Sequence, residues 1–314
     1  MPRPVILGVV GDSATGKTTI TDGLVRVLGE DNVAHIGTDD YHKYDREQRK
    51  ELGITPLNPE CNYVDIMAQH LELLSDGKPL LKPIYVHSNG TFDAPEYVEP
   101  RPFAIVEGLL GYYTEELREA HDVRVFLAPP EDLRRKWKID RDSSKRGYTE
   151  EEVLADLEKR EPDSEQFIRP QRRYADLIVT FRPTDDDADV VDAELTLKEG
   201  LPHPDLSPLV EGGRDDIQVE QRDGESTLRI SGAIDMERAR EIEEAVWERM
   251  HFAKHLRTED LGVIETGGGE QRSQSLAILQ VLLLYQLVTA RATVALGGDD
   301  ARTEGDEVAT SSSS

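Results

Sequence analysis

The feature that most constrains this chain lies near its start. The stretch GDSATGKTT, Gly11 to Thr19, sits between an apolar run, VILGVV, and an amphipathic one, TTITDGLVRVLG. Gly11, Gly16, Lys17 and Thr18 satisfy the pattern G-x-x-x-x-G-K-[ST], and a strand before and a helix after is the context in which that pattern folds as a phosphate-binding loop. Successive backbone N–H groups and the positive end of the following helix then cradle phosphate oxygens. Asp12, Ser13, Ala14, Thr15 and Thr19 complete the predicted nucleotide-binding stretch. Within it Lys17 is expected to reach the β- and γ-phosphates of ATP, and the Thr18 hydroxyl to ligate Mg²⁺.

From Pro4 to about Thr180, short apolar strands alternate with amphipathic stretches: VILGVV, TTITDGLVRVLG, VAHIGT, VDIMAQHLELLSDG, FAIVEG and VRVFLA. This rhythm predicts an α/β fold, a P-loop kinase-like, mostly parallel sheet with helices on both faces and binding loops at the strands' carboxyl ends. The pattern breaks at a proline and an acidic run, FRPTDDDADVVDA. Beyond it AELTLKEG, DDIQVEQRDG and STLRISGAI read as short antiparallel strands, and MERAREIEEAVWERM as a helix. The expected organisation is a P-loop domain at 1–185, a C-terminal portion of antiparallel strands and helices at 186–298, and a disordered acidic and serine-rich tail at 299–314.

Composition removes several partner classes. With 63 Asp and Glu against 37 Lys and Arg, the net charge is −26. Nucleic acid and anionic membrane surfaces would be repelled, so any anion must be held by local basic clusters. The run LAILQVLLLYQLV, Leu276 to Val288, is too short to span a bilayer unaided and reads as a buried helix. The opening MPRPVILGVV is too short for a signal peptide's apolar core plus cleavage site and is expected to be a strand. Cys61 is the only cysteine, which leaves no intrachain disulfide or cysteine zinc site. A cytoplasmic location is expected.

Three further clusters carry chemistry. FAIVEG puts Glu107 at a strand's carboxyl end, where an acid can hold the metal or its water. IGTDDYHKYDREQRK places Asp39, Asp40, His42, Arg46 and Arg49 just beyond another strand end. A carboxylate there can take the proton of an acceptor hydroxyl, while Arg and His clamp an anionic group on the same acceptor. Without the phosphate loop this stretch would read as a charged surface loop. In RRKWKIDRDSSKRG, Lys138 and Arg141 share a helical face at i, i+3, and Arg146 falls near the helix end. Cations on a segment that closes over the nucleotide would offset charge on the transferring phosphoryl group; the bland alternative is a solvated basic helix.

With those residues in view, the run DDYHKYDREQRKELGITPLNPECNYVDIM resembles the phosphoribulokinase family, in particular its cyanobacterial, plant and archaeal branch, whose pattern is DDYHxxDRxGRKxxGxTxLxPxxNxxDxM. KPIYVHSNGTFDAPE, the IVEGL segment, WKIDRDSSKRGYTEEEVLADLEKREPD and FIRPQRRYADLIV match in the same order, so the resemblance covers residues 4 to about 182. It implies ATP-dependent phosphorylation of ribulose 5-phosphate at its 1-hydroxyl, giving ribulose 1,5-bisphosphate for carbon fixation. It assigns the base to Asp39, sugar-phosphate binding to His42, Arg46 and Arg146, and phosphoryl transfer to Lys138 and Arg141. It sets Tyr85 and His87 at the border of the acceptor pocket, and a homodimer is expected. Arg49 joins the acceptor residues or is a surface residue. Two departures stand out. Thr15 and Gly37 occupy positions where plant and cyanobacterial members carry regulatory cysteines, and Leu110 stands directly after IVEGL, where the family usually has His.

The nearest rival is a uridine-kinase-like enzyme, which shares the P-loop, the strand-end Asp and an RD-x-x-x-RG lid but needs no clamp for a second phosphate. A kinase of another pentose phosphate is kept open by Leu110. A nucleotide sensor without catalysis is opposed by Lys17, Thr18, Asp39 and Glu107, all chemically competent.

Overall fold

The computed structural model describes residues 3–184, 190–198, 200–201, 210, 215–222, 224–256, 258, 260–266 and 269–296. The tail expected at 299–314 lies outside them. The P-loop portion runs β1 (Val5–Gly11), α1 (Lys17–Leu28), β2 (Val33–Gly37), α2 (Arg46–Leu52), α3 (Val64–Ser75), then β3 (Leu80–Val86) and β4 (Thr91–Val98). It continues with β5 (Phe103–Gly108), α4 (Glu115–Glu119), β6 (Val123–Leu127), α5 (Glu131–Arg146), α6 (Glu150–Asp163) and β7 (Leu177–Pro183). After it come β8 (Val191–Leu197), β9 (Ile217–Arg222), β10 (Glu225–Ile230), α7 (Met236–Arg249), β11 (Val263–Thr266), β12 (Gly269–Arg272) and α8 (Gln274–Ala295).

Eight strands form one sheet in the order β2-β5-β1-β6-β7-β8-β10-β9. Pairing is parallel from β2 through β7. It turns antiparallel at β7 and β8 and stays so to β9. The mostly parallel α/β sheet expected from the strand and helix rhythm is therefore present, and the antiparallel strands continue it. β3 and β4 form a separate hairpin, as do β11 and β12.

Side-chain alternation explains the layers. On β1, Val5, Leu7 and Val9 point to one face, where Ile20 and Leu24 of α1, Trp247 of α7 and the apolar length of α8 cover them. Ile6 points to the other, with Ala104 and Val106 of β5, against Met67, Leu71 and Leu74 of α3 and Leu117 of α4. Full burial of each such aliphatic side chain contributes about 1.5–3 kcal/mol, so helices on both faces follow directly from the strands' two apolar sides. The helix expected around Leu284 is α8, and it is long and apolar enough to cross a membrane; 72% of its most apolar window is buried in the protein instead. Gln280 of α8 donates to the carbonyls of Thr19 and Ile20 and accepts from Gly262 N at 2.7 Å. The contact requires glycine at position 23, since a Cβ there would fall 2.1 Å from the Gln280 amide nitrogen. The C-terminal helix thus grips the first turns of α1, the helix that begins with Lys17.

Beneath β1, His121 is 2% exposed and donates from Nδ1 to the Leu117 carbonyl at 2.6 Å. Burial pushes its pKa down from 6.5 to about 4. Between these values the unfolded chain binds the proton and the folded one resists it. The associated stability is complete above pH 6.5 and is lost as pH falls towards 4. Its size is on the order of 3 kcal/mol. Urea titrations across this range should show His121→Asn, which keeps a donor for Leu117, losing less stability on acidification than the unmodified protein. Parallel pH profiles would contradict the assignment.

Candidate active site

Strand order brings the predicted motifs together. β2, β5 and β1 are neighbours, and Glu107 is in register with Val9 on one side and Gly37 on the other. The phosphate loop leaving β1, Glu107 ending β5 and the 3-10 turn Thr38–Tyr41 leaving β2 therefore meet along one edge, at the strands' carboxyl ends. Gly108 tightens the meeting. A Cβ at this residue would lie 1.8 Å from the Thr38 hydroxyl, which accepts from Leu109 N at 3.0 Å.

The loop itself is preorganised. Ala14 holds φ 63° and Gly16 φ 92°, turning the chain into α1. Lys17 Nζ folds back onto the carbonyls of Gly11 and Asp12 at 3.0 and 2.7 Å. Burial lowers its pKa, opposed by the carboxylates of Glu107, Asp39 and Asp12. Thr15 spends its hydroxyl on the Asp12 carbonyl at 3.0 Å, and Thr19 offers its carbonyl to Gln280. The outer limb is strapped down by three groups. Ser164 donates to the Asp12 carboxylate, Arg134 to the Ser13 carbonyl at 3.1 Å, and Arg141 to the Ser13 hydroxyl at 3.4 Å.

Thr18 and Glu107 are adjacent, with the Thr18 hydroxyl 3.1 Å from Glu107 Oε1 and the Thr21 hydroxyl on Oε2 at 2.5 Å. Burial alone would raise Glu107, yet His35, 3.9 Å away, the Thr21 hydrogen bond and the Lys17 charge bring it down to about 2. This ionised carboxylate beside a threonine hydroxyl is a hard oxygen donor pair of the kind Mg²⁺ selects. The residues present fit that ion. His35 and Thr21, the partners of Glu107, are not part of any motif; the pairing of β2 with β5 brings His35 there, and Thr21 lies one turn after Thr18 on α1.

The two aspartates of the DD pair are split by their partners. Asp40 forms a buried pair with Lys82 of β3 and accepts from Tyr85 N at 2.9 Å, so it pins the β3–β4 hairpin to the turn. Asp39 faces the loop, 3.5 Å from His87 Nε2. Burial would raise its pKa, but the imidazoles of His42 and His87 and the Lys17 ammonium hold it below the usual carboxylate range. His42 is itself depressed by burial. His42 bonds Asn62 at 2.6 Å and meets the Tyr85 ring edge-on at 4.9 Å. Tyr85 in turn packs against His87 and lies under the Arg49 guanidinium.

Arg46 and Arg49 lie one turn apart on α2, whose start is fixed by an Asp45–Gln48 capping box. Arg46 donates to the His87 carbonyl, and Arg49 to the Tyr85 hydroxyl and Tyr44 carbonyl. Among the described residues neither is ion-paired with a carboxylate. In a chain of net charge −26 these two guanidiniums make a local positive site; Arg46 is half-buried and Arg49 buried, so Arg49 is not a surface residue. Lys138 and Arg141 both lie on α5. Lys138 is buried between Asp142 at 2.8 Å and Asp156 at 3.4 Å. Arg141 pairs with Asp142 while reaching the loop. Arg146 ends α5, and its side chain lies outside those described. Leu110, 2% exposed, packs in the core against α3 and α4 residues. Cys61 is buried.

Comparison with known proteins agrees with this architecture. The family model described as "Phosphoribulokinase / Uridine kinase family" matches residues 6–188. The phosphoribulokinase of Synechocystis sp. is 40% identical over 205 residues, 64% of this chain and 62% of that protein. The chloroplastic phosphoribulokinase of Triticum aestivum is 34% identical over 221 residues, 63% of this chain and 55% of that protein. The uridine kinase of Chloroflexus aggregans is 33% identical over 182 residues, 56% of this chain and 86% of that protein. The phosphoribulokinase structure from Rhodobacter spheroides shares the fold, with a TM-score of 0.60 at 18% identity, over 81% of this chain and 99% of that one.

Proposed function

Starting from the fact that this chain belongs to the phosphoribulokinase and uridine kinase family, we propose that it transfers the γ-phosphoryl group of ATP to the 1-hydroxyl of ribulose 5-phosphate. The product is ribulose 1,5-bisphosphate, the substrate of carbon fixation. The chain spans about three fifths of the phosphoribulokinases it matches, 62% and 55% of the two described above. One observation carries the choice of acceptor. Beside Asp39, two arginines without carboxylate partners among the described residues, Arg46 and Arg49, stand with His42, Tyr85 and His87 under a hairpin. A nucleoside has no second phosphate for such a clamp.

In this reading Asp39 accepts the proton of the 1-hydroxyl as its oxygen bonds to the γ-phosphorus. The bond from that phosphorus to the β,γ-bridging oxygen breaks, and ADP leaves with the electron pair. Thr18 and Glu107 would hold Mg²⁺, which would supply neutralisation of the phosphate charge when bound. The amides of Asp12 to Lys17 hold the nucleotide. Lys17 and Arg141 offset charge on the phosphoryl oxygens, and Lys138 joins them by trading Asp156 for the phosphoryl group. His42, Arg46 and Arg49, with Arg146, Tyr85 and His87, hold the sugar phosphate. Thr15 and Gly37 in place of family cysteines leave the reaction without a thiol switch. The reading further includes a cytoplasmic homodimer with no nucleic-acid or membrane partner. The test is a panel of ribulose 5-phosphate, other pentose phosphates and uridine, each with ATP and Mg²⁺. Turnover of uridine alone would overturn the proposal.

A further inference from the structure

A chain of hydrogen bonds through the end of α6 links the phosphate loop to His42. Pro162, inside α6, offers no N–H to the helix ladder, and beyond Asp163 the helix widens into a π-turn, Ser164–Ile168. The two residues at this junction point to different loops. Ser164, 1% exposed, donates to the carboxylate of Asp12 in the phosphate loop. Asp163 accepts from the Thr55 hydroxyl at 2.6 Å. Thr55 then orders the loop after α2, since its hydroxyl takes Leu57 N at 3.2 Å and its carbonyl takes Asn58 N at 3.2 Å. The Asn62 amide closes that loop on the carbonyls of Pro56 and Asn58 at 3.0 and 2.8 Å and presents its oxygen to His42 at 2.6 Å. Asp12, Ser164, Thr55, Asn62 and His42 are all buried, and Asp163 is half-buried. Water therefore has little access to the two ends of this chain of bonds, so a shift at one end is passed on through fixed partners.

We infer that the Asp163–Ser164 step couples the nucleotide loop to the loop 55–62, so that filling the phosphate loop orders the backing of His42 before the acceptor arrives. Asp163 and Ser164 are positioning residues in this account, as are Thr55 and Asn62. The inference rests on nucleotide binding at the phosphate loop, but its test needs no acceptor.

Hydrogen exchange of the full chain is followed with and without Mg²⁺ and a nonhydrolysable ATP analogue, whose affinity is measured separately by calorimetry. In the unmodified protein the analogue should slow exchange at the amides of Leu57, Asn58, Cys61 and Asn62 by about fivefold or more. Ser164→Ala and Thr55→Val should each abolish that slowing, and in Thr55→Val the analogue's Kd should stay within about threefold. The readout is the ratio with and without nucleotide, which a merely loosened loop leaves unchanged. Should Ser164→Ala fold poorly or lose affinity, Thr55→Val decides, because it is remote from the phosphates. Bound analogue without slowing, or slowing retained in Thr55→Val, overturns the inference. Absence of analogue binding fails both this inference and the proposed function, whereas failure to phosphorylate ribulose 5-phosphate fails only the latter.

Discussion

Replacing Asp39 by Asn should lower kcat by about 10²- to 10⁴-fold while ATP affinity changes little. The substitution keeps volume and hydrogen-bonding shape but removes the carboxylate that the proposed mechanism assigns to the acceptor proton. Asp40 cannot substitute, because its two oxygens are held by Lys82 and by Tyr85 N. The pH profile gives a second reading of the same residue. His42, His87 and Lys17 hold Asp39 below its ordinary value of 3.8 against the effect of burial. Loss of rate from protonating this base is therefore confined to pH below that value, and the neutral range should show no Asp39 limb. Steady-state kinetics with a direct nucleotide-binding measurement checks both points. A near-normal kcat in Asp39→Asn removes the residue from the role of base.

Arg46→Ala should raise the acceptor's KM by about 10- to 100-fold and leave the KM for ATP within about threefold, the signature of lost binding to one substrate. Among the described residues no hydrogen bond or ion pair joins Arg46 to the phosphate loop. Its backbone N–H bonds the Gly90 carbonyl at 2.8 Å and its guanidinium the His87 carbonyl, so it belongs to the α2 and hairpin wall. A parallel rise in both KM values would show instead that the substitution disturbs the whole site. An acceptor without a phosphate should be insensitive to it.

The order of legibility in this chain follows sequence distance. The phosphate loop, the strand before it and the helix after it are contiguous, so their chemistry is written in one stretch. Glu107 and Asp39 were recognisable because each ends an apolar strand. Their meeting depends on β2 and β1 flanking β5, a pairing of segments far apart in the chain that no local pattern encodes. For the same reason the strands Val191–Leu197, Ile217–Arg222 and Glu225–Ile230 were legible as antiparallel, while their place on the edge of the same sheet was not. The hairpin of β3 and β4 was read only as motif residues Tyr85 and His87, since its outer strand is exposed along most of its length and lacks an apolar alternation. The residues that sequence reasoning missed are those working through others. His35 and Thr21 set Glu107, Lys82 fixes Asp40, Asn62 orients His42, and Ser164 holds Asp12 from 152 positions away. Each is an ordinary residue in sequence and gains meaning only from its partner.

The most direct test follows the phosphorus atom. ATP labelled in its γ-phosphoryl group is incubated with the full chain, Mg²⁺ and ribulose 5-phosphate, and the products are separated and their phosphates distinguished by phosphorus NMR. The account predicts one equivalent of ADP for each ribulose 1,5-bisphosphate, with the label confined to the phosphate on carbon 1 and transfer abolished in Asp39→Asn. Label released only as inorganic phosphate, or found on uridine but never on the pentose phosphate, would contradict it.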